Sequence, residues 1–292
     1  MRKVLLIPLL VFCIKAVLFA QQPYSVKNIS IQEGLSNGFV DDMVIDGQGF
    51  VWTATEWGLN RIAGNTCTVF TTSNSNISNN EHVGLLYHAK TNSIWIYSKD
   101  GRVDVYDCKT QRMHPLYIDN KDKLDIVAIT LAADSTLWLA KYNGGIYNYD
   151  PITKKHHYIS TNKLPKFHNG IRSITDDGKG NLYIGLRMEG MITYNIHTGR
   201  SNFFCNKPNE PSSLPGNNVR CVFIDHLQNI WVGTNKGLAI YNPANGTFHI
   251  YKHQKDNPTS LAGDNIHQII ETKDHTLWVA SDIGGISKLN LN

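Results

Sequence analysis

Six stretches of the chain, spaced 43 to 48 residues apart, set polar and aromatic side chains at equivalent points of a repeat. One column reads Glu56-Trp57, Lys99-Asp100, Tyr142-Asn143, Arg187-Met188-Glu189, Asn235-Lys236 and Asp282, and a second reads Asp41, Gly84, Val127, Arg172, Arg220 and His267. The chemistry open to such a set is recognition. Trp57 stands where other repeats carry Asp100, Asn143, Met188 or Glu189, and Lys236, so packing does not require an aromatic there. An exposed indole offers a face on which a sugar ring stacks, although a surface Trp can equally cover its own repeat. Arg172 and Arg220 suit a bidentate grip on a carboxylate, as on a uronic acid, with solvent or Asp41 as the competing partner. The candidate ligand-binding residues are Glu56, Trp57, Tyr142, Arg172, Arg187, Arg220, Lys236, His267 and Asp282.

Catalytic chemistry is harder to find. His82, His168 and His267 enter repeats on the same side and could supply a general base, but no ordered His/Glu pair recurs with them, and no catalytic residue is assigned. The stretch Asp176-Asp177-Gly178-Lys179-Gly180-Asn181 lacks the alternating acidic ligands and closing glutamate of a calcium loop. It reads as a hairpin turn, like its counterpart Asp46-Gly47-Gln48-Gly49. Cys67, Cys108, Cys205 and Cys221 fall at different points of different repeats without C-x-x-C spacing, and are read as free thiols rather than disulfides or metal ligands. No metal or cofactor is expected.

The elements that position these columns are short strands. Val40 to Phe70 gives an apolar strand, a tight polar turn, a strand centred on Trp52, a turn ending in Gly58-Leu59, a third strand, a second turn and a last strand. Trp52, Trp95, Trp138, Tyr183, Trp231 and Trp278 align, and a glycine follows each by six or seven positions. Glycine enters positive φ at no steric cost, which is turn chemistry. Four short strands at such a period predict an all-β fold, a β-propeller of six four-stranded blades. The alternative is an incomplete seven-bladed ring. Blades are expected at 37–70, 81–117, 124–158, 169–204, 217–251 and from 264 onward, joined by polar surface linkers within one domain. A strand near Tyr24 would complete the last blade and so close the ring. The aligned aromatics are expected to wedge each blade against the next.

The chain of 292 residues is 41% hydrophobic and 18% charged, enough to bury a large core. Met1-Arg2-Lys3 followed by the apolar run Val4–Ile14 predicts a signal peptide over 1–20 and a propeller over 21–292, located in the periplasm. An apolar run of that length falls short of a membrane span. The leader takes three of the 28 Lys and Arg and none of the 24 Asp and Glu. The remainder is nearly balanced and gives no reason to expect nucleic acid as partner.

The string GLSNGFVDDMVIDGQGFVWTATEWGLNRIAG (Gly34 to Gly64), with Val219 to Phe248 and Ile266 to Asn290, resembles the two-component regulator propeller repeat of the periplasmic sensor region of Bacteroidetes hybrid two-component systems. That resemblance covers residues 24 to 292. It implies a sensor input module for breakdown products of complex glycans, with a small carbohydrate, the remaining parts of a sensor kinase, or a second copy of the chain as partner. The sequence departs from the family plan in ending after six repeats, with no kinase, receiver or DNA-binding region, so phosphotransfer is not expected of this polypeptide. Two alternatives are a streptogramin-lyase-like propeller enzyme, whose blades carry similar Asp-x-x-Gly-x-(Leu/Ile)-Trp strings, and a scaffold propeller that binds only protein.

Overall fold

The computed structural model describes residues 28–282 and 284–291. The predicted leader and the strand near Tyr24 lie outside the described residues. The fold is a six-bladed β-propeller. Blade 1 holds β1 (Val40–Ile45), β2 (Val51–Thr55), β3 (Gly58–Ala63) and β4 (Thr66–Phe70). Blade 2 holds β5 (His82–His88), β6 (Ser93–Ser98), β7 (Val103–Asp107) and β8 (Arg112–Pro115). Blade 3 holds β9 (Ile126–Leu131), β10 (Leu137–Lys141), β11 (Ile146–Tyr149) and β12 (His156–Ile159). Blade 4 holds β13 (Ile171–Asp176), β14 (Asn181–Leu186), β15 (Gly190–Asn195) and β16 (Ser201–Phe204). Blade 5 holds β17 (Val219–Ile224), β18 (Ile230–Thr234), β19 (Gly237–Asn242) and β20 (Thr247–Tyr251). Blade 6 holds β21 (Ile266–Glu271), β22 (Thr276–Ser281) and β23 (Gly285–Asn290), three strands among the described residues. Strands within each blade are antiparallel neighbours in chain order, so every connection is a hairpin.

The core lies between blades. Five apolar clusters each join one blade to the next, from blades 1 and 2 through blades 5 and 6. Trp52, Trp95, Trp138, Tyr183 and Trp231 are 0 to 4% exposed and form the wedges. The turn carboxylates anchor them. Asp46 Oδ2 accepts from Trp52 Nε1 and Asp225 Oδ2 from Trp231 Nε1, both at 2.8 Å. Asp177 accepts from the backbone N–H of Lys179 and Asn181 and from the Asn181 amide, leaving a long contact of 3.4 Å to the Tyr183 hydroxyl. Its oxygens are taken up by a hairpin.

Trp278 departs from this pattern and is only partly buried. Ile270 and Ile286 of the same blade are 49% and 65% exposed. On blade 1, Met43 is 65% exposed, although the residues at its position in blades 4, 5 and 6 (Ile174, Val222 and Ile269) are buried against the preceding blade. The physical reason is shared. Among the described residues no sixth apolar cluster joins blade 6 to blade 1, so the outward faces of both lack a packed neighbour.

Candidate functional site

The first strand of every blade is bulged at the same place. The pairing of first with second strand slips between Val40 and Asp42, His82 and Gly84, Ile126 and Ala128, Ile171 and Ser173, Val219 and Cys221, and Ile266 and Gln268. The skipped residues are Asp41, Val83, Val127, Arg172, Arg220 and His267. A bulge leaves one residue out of the ladder and re-aims its side chain, which accounts for variable polar residues inside otherwise apolar strands. In blade 2 the column runs through Val83, not Gly84 as the spacing suggested. Gly84 stays paired opposite Tyr97, and a Cβ there would come within 2.1 Å of the Tyr97 ring, so that glycine serves packing.

Three predicted residues meet directly. Arg220 Nη1 donates to Asp282 Oδ2 at 2.6 Å and to His267 Nδ1 at 3.2 Å, while His267 Nδ1 lies 3.3 Å from Asp282 Oδ1. Asn265 Nδ2 donates to Asp282 Oδ2 at 2.8 Å, fixing the carboxylate. The internal partner of Arg220 is therefore Asp282 of blade 6, not Asp41. Arg220 Nε is buried and has no protein acceptor. Arg172 is half-buried beside them and donates weakly to Asn218 Oδ1 at 3.4 Å. Desolvation, then the neighbouring Arg220 and Arg187 guanidiniums, pull the Arg172 pKa down. Arg187 in turn lies over the Tyr142 ring, with Cζ 5.9 Å from its centroid, a cation–π distance. Arg220 thus holds the carboxylate directly while Arg172, flanked by Arg187, stands beside the pair without a carboxylate of its own in hydrogen-bond contact, and the excess positive charge is matched to an anionic ligand group.

The other predicted residues sit elsewhere. Glu56 pairs with Lys99 at 3.7 Å, and Lys99 also with Glu81 at 3.3 Å. Asp41 is accessible yet flanked by protein. Desolvation and then Glu56 raise its pKa, against the lowering influence of Lys99 and His267. Trp57 is 67% exposed at the β2–β3 turn, three blades from Arg172, so the structure does not seat it with the arginines. Lys236 holds its turn through its backbone N–H to Thr234 Oγ1 at 3.1 Å. A hollow of about 450 Å³ lies beside the face, lined by Asn143, Thr161, Leu164, Lys166, Phe167 and His168.

The three histidines considered for base chemistry have separate fates. His82 is fully buried with both ring nitrogens unbonded, and desolvation pulls its pKa down to about 4. His168 is exposed and pairs with Glu189 at 3.5 Å. Glu189 also accepts from the backbone N–H of His168 and Asn169, which makes it a loop anchor. His267 belongs to the arginine cluster. All four described cysteines are free, as the spacing suggested.

One constellation escaped sequence reading. On the opposite face, where first strands turn into second strands, His226 of blade 5 and Glu271 and His275 of blade 6 converge. His226 and Glu271 lie 45 positions apart, so only blade stacking brings them together.

Residues 213–236 match the repeat family described as Two component regulator propeller. The chain is 24% identical over 166 residues to Histidine kinase P4 of Formosa agariphila, a match covering 53% of this chain and 12% of that protein. Among solved structures it is similar to the extracellular domain of BT3049 of B. thetaiotaomicron, described as a hybrid two component system. The TM-score is 0.77 at 29% identity, over 92% of this chain and 36% of that one. PorZ, a surface component of the type-IX secretion system of Porphyromonas gingivalis, shares the fold at a TM-score of 0.66 and 13% identity, over 88% of this chain and 40% of that one. The chain thus spans well under half the length of each of these relatives. Repeat, fold and relatives agree in one respect: a segment of the chain matches the two component regulator propeller repeat, and the chain is similar to an extracellular domain of a hybrid two component system.

Proposed function

We propose that this chain acts outside the cytoplasm as the ligand-sensing input of a two-component signalling system, and that its ligand is a small acidic carbohydrate held on the face of the bulge residues. The observation that carries this reading is the arginine cluster. Arg220 is paired with Asp282, Arg172 lies beside it within reach of the Arg220 and Arg187 charges, and Arg220 keeps a buried Nε without an acceptor. A uronate carboxylate would satisfy the excess charge, and the ring of Tyr142, next to Arg187, would supply a stacking surface. The likeness to extracellular domains of hybrid two-component systems supports the export and the sensing role. Among the described residues no helix is long and apolar enough to cross a membrane. In this reading the propeller binds without turnover, phosphotransfer is carried out by other parts of a sensor kinase, and a second copy or those parts receive the signal.

The test is calorimetric titration with uronic-acid oligosaccharides beside their neutral counterparts. Acidic sugars are expected to bind and to stabilise the fold, and Arg220→Ala is expected to weaken binding by roughly 2 kcal/mol, the usual worth of a charge-assisted hydrogen bond. Equal affinity for neutral sugars, or an affinity unchanged in Arg220→Ala and Arg172→Ala, would remove the arginine cluster from the site. Metal-dependent turnover of the sugar would point to a lyase instead.

A further inference from the structure

We infer that His226, Glu271 and His275 form a binding site for a divalent transition-metal ion of the zinc type, bridging blades 5 and 6 on the face opposite the arginine cluster. The donor set is two imidazoles and one carboxylate, whose ligand atoms all lie within 4.8 Å of one another. Nδ1 of both histidines points at the same oxygen, Glu271 Oε1. For His275 the separation is 3.2 Å, and for His226 the two atoms are in close hydrogen-bond contact. Two ligand atoms each about 2.0–2.1 Å from one tetrahedral metal are about 3.3 Å apart, the spacing at which His275 and Glu271 already stand, while the His226–Glu271 contact would open to admit an ion. The carboxylate is also oriented from behind, as its second oxygen, Oε2, accepts from the His226 backbone N–H at 2.9 Å. Hydrogen-bonded ligands of this kind are a hallmark of metal sites.

The two imidazoles stack with centroids 3.7 Å apart and planes inclined by 26°. Neutral imidazole is the metal-binding form, and its Nδ1 lone pair becomes available once the proton moves to Nε2. Glu271 is largely buried, while His226 and His275 are half-exposed, which leaves a side of the ion open to water or to a ligand from another molecule. Imidazole with carboxylate favours zinc, nickel or copper over magnesium or calcium.

The repeat framework does not demand these residues. At the position of Glu271 the other blades carry Ile45, Tyr87, Leu131, Asp176 and Ile224, and at the position of His226 they carry Gly47, Ala89, Ala133, Gly178 and Lys273. His275 occupies a left-handed conformation, φ 61°, where blades 1 and 4 use Gly49 and Gly180. The set occurs once among the described residues. It joins the three-stranded blade 6 to its neighbour, so the ion would act as a staple between the last two blades.

The test uses the full chain stripped with a chelator and titrated with ZnCl2 by calorimetry, together with thermal unfolding with and without zinc. One equivalent of zinc is expected to bind and raise the unfolding temperature. His275→Gln and Glu271→Gln should each weaken binding more than about tenfold and abolish the thermal shift, while His249→Gln should change neither. His275 is a solvent-facing side chain, and a native circular dichroism spectrum of His275→Gln would exclude misfolding as the cause. Cobalt should give a tetrahedral visible spectrum that is lost in the same variants. Absence of a bound equivalent, or binding retained in His226→Gln and His275→Gln, would overturn the assignment.

Discussion

Replacing Trp138 by alanine tests the wedge directly. The side chain is 4% exposed and packed between blades 3 and 4 with Ala140, Ile146, Leu182 and Tyr194. Its Nε1 donates across the interface to Asp176 Oδ2 at 2.8 Å. A buried Trp removes about 200 Å² from water, worth roughly 5 kcal/mol at ~25 cal/mol per Å², and truncations of this kind cost about 3–5 kcal/mol once relaxation is allowed. Trp138→Phe retains a ring but strands the Asp176 oxygen, and should cost about 1–3 kcal/mol. Trp278 provides the control, because it occupies the same position in blade 6 yet is only partly buried. Its alanine variant should lose about 1–2 kcal/mol, well short of a full core truncation. Urea denaturation followed by far-ultraviolet circular dichroism measures all three, with hydrogen exchange to locate the loosened blades. If Trp138→Ala cost under 1 kcal/mol, or if Trp278→Ala cost as much as Trp138→Ala, the inter-blade wedge would be refuted as the organising contact.

His82 gives a pH signature. Its folded pKa, lowered to about 4 from 6.5 by desolvation, means that the unfolded chain binds the proton first as pH falls. The stability contributed is present above about pH 6.5 and is lost progressively toward pH 4, by about 3 kcal/mol in all, and His82→Leu should flatten that slope in pH-dependent urea midpoints. Cys108 is buried between blades 1 and 2, and desolvation, followed by the nearby Asp46, pushes its thiol up to about 11. Mass-spectrometric mapping of alkylation at pH 8 should leave it unmodified in the native protein and label it in urea, and rapid native labelling would contradict its placement.

The fold was legible because the repeat exposes its own period. Trp52 and its aligned aromatics marked the second strands, and the glycines after them marked turns that only glycine tolerates. Gly190 illustrates the point, with φ 109° and a would-be Cβ 2.0 Å from the Phe204 carbonyl oxygen. The site was half legible. Spacing identified Arg172, Arg220 and His267 as one column but placed Gly84 in it, because a bulge is a backbone event that leaves no composition signal. The pairing of Arg220 with Asp282 depends on which blade is the next neighbour, and how far Trp57 stands from the arginines depends on the count of blades between them. The cluster of His226, Glu271 and His275 was invisible because sequence order separates blades that stacking joins.

The exposed faces of Met43 on one side and of Ile270 and Ile286 on the other carry a consequence for sensing. Six sheets joined by five apolar seams among the described residues behave as a row with two ends, in which stability accumulates neighbour by neighbour. Among the described residues blade 6 packs through one apolar cluster, against blade 5, and it bears His267 and Asp282 of the charged cluster. An occupant that grips Arg220 and the sixth sheet together would therefore clasp the end of the row. Occupancy would be felt as a quieting of that terminal sheet, long before any change of shape.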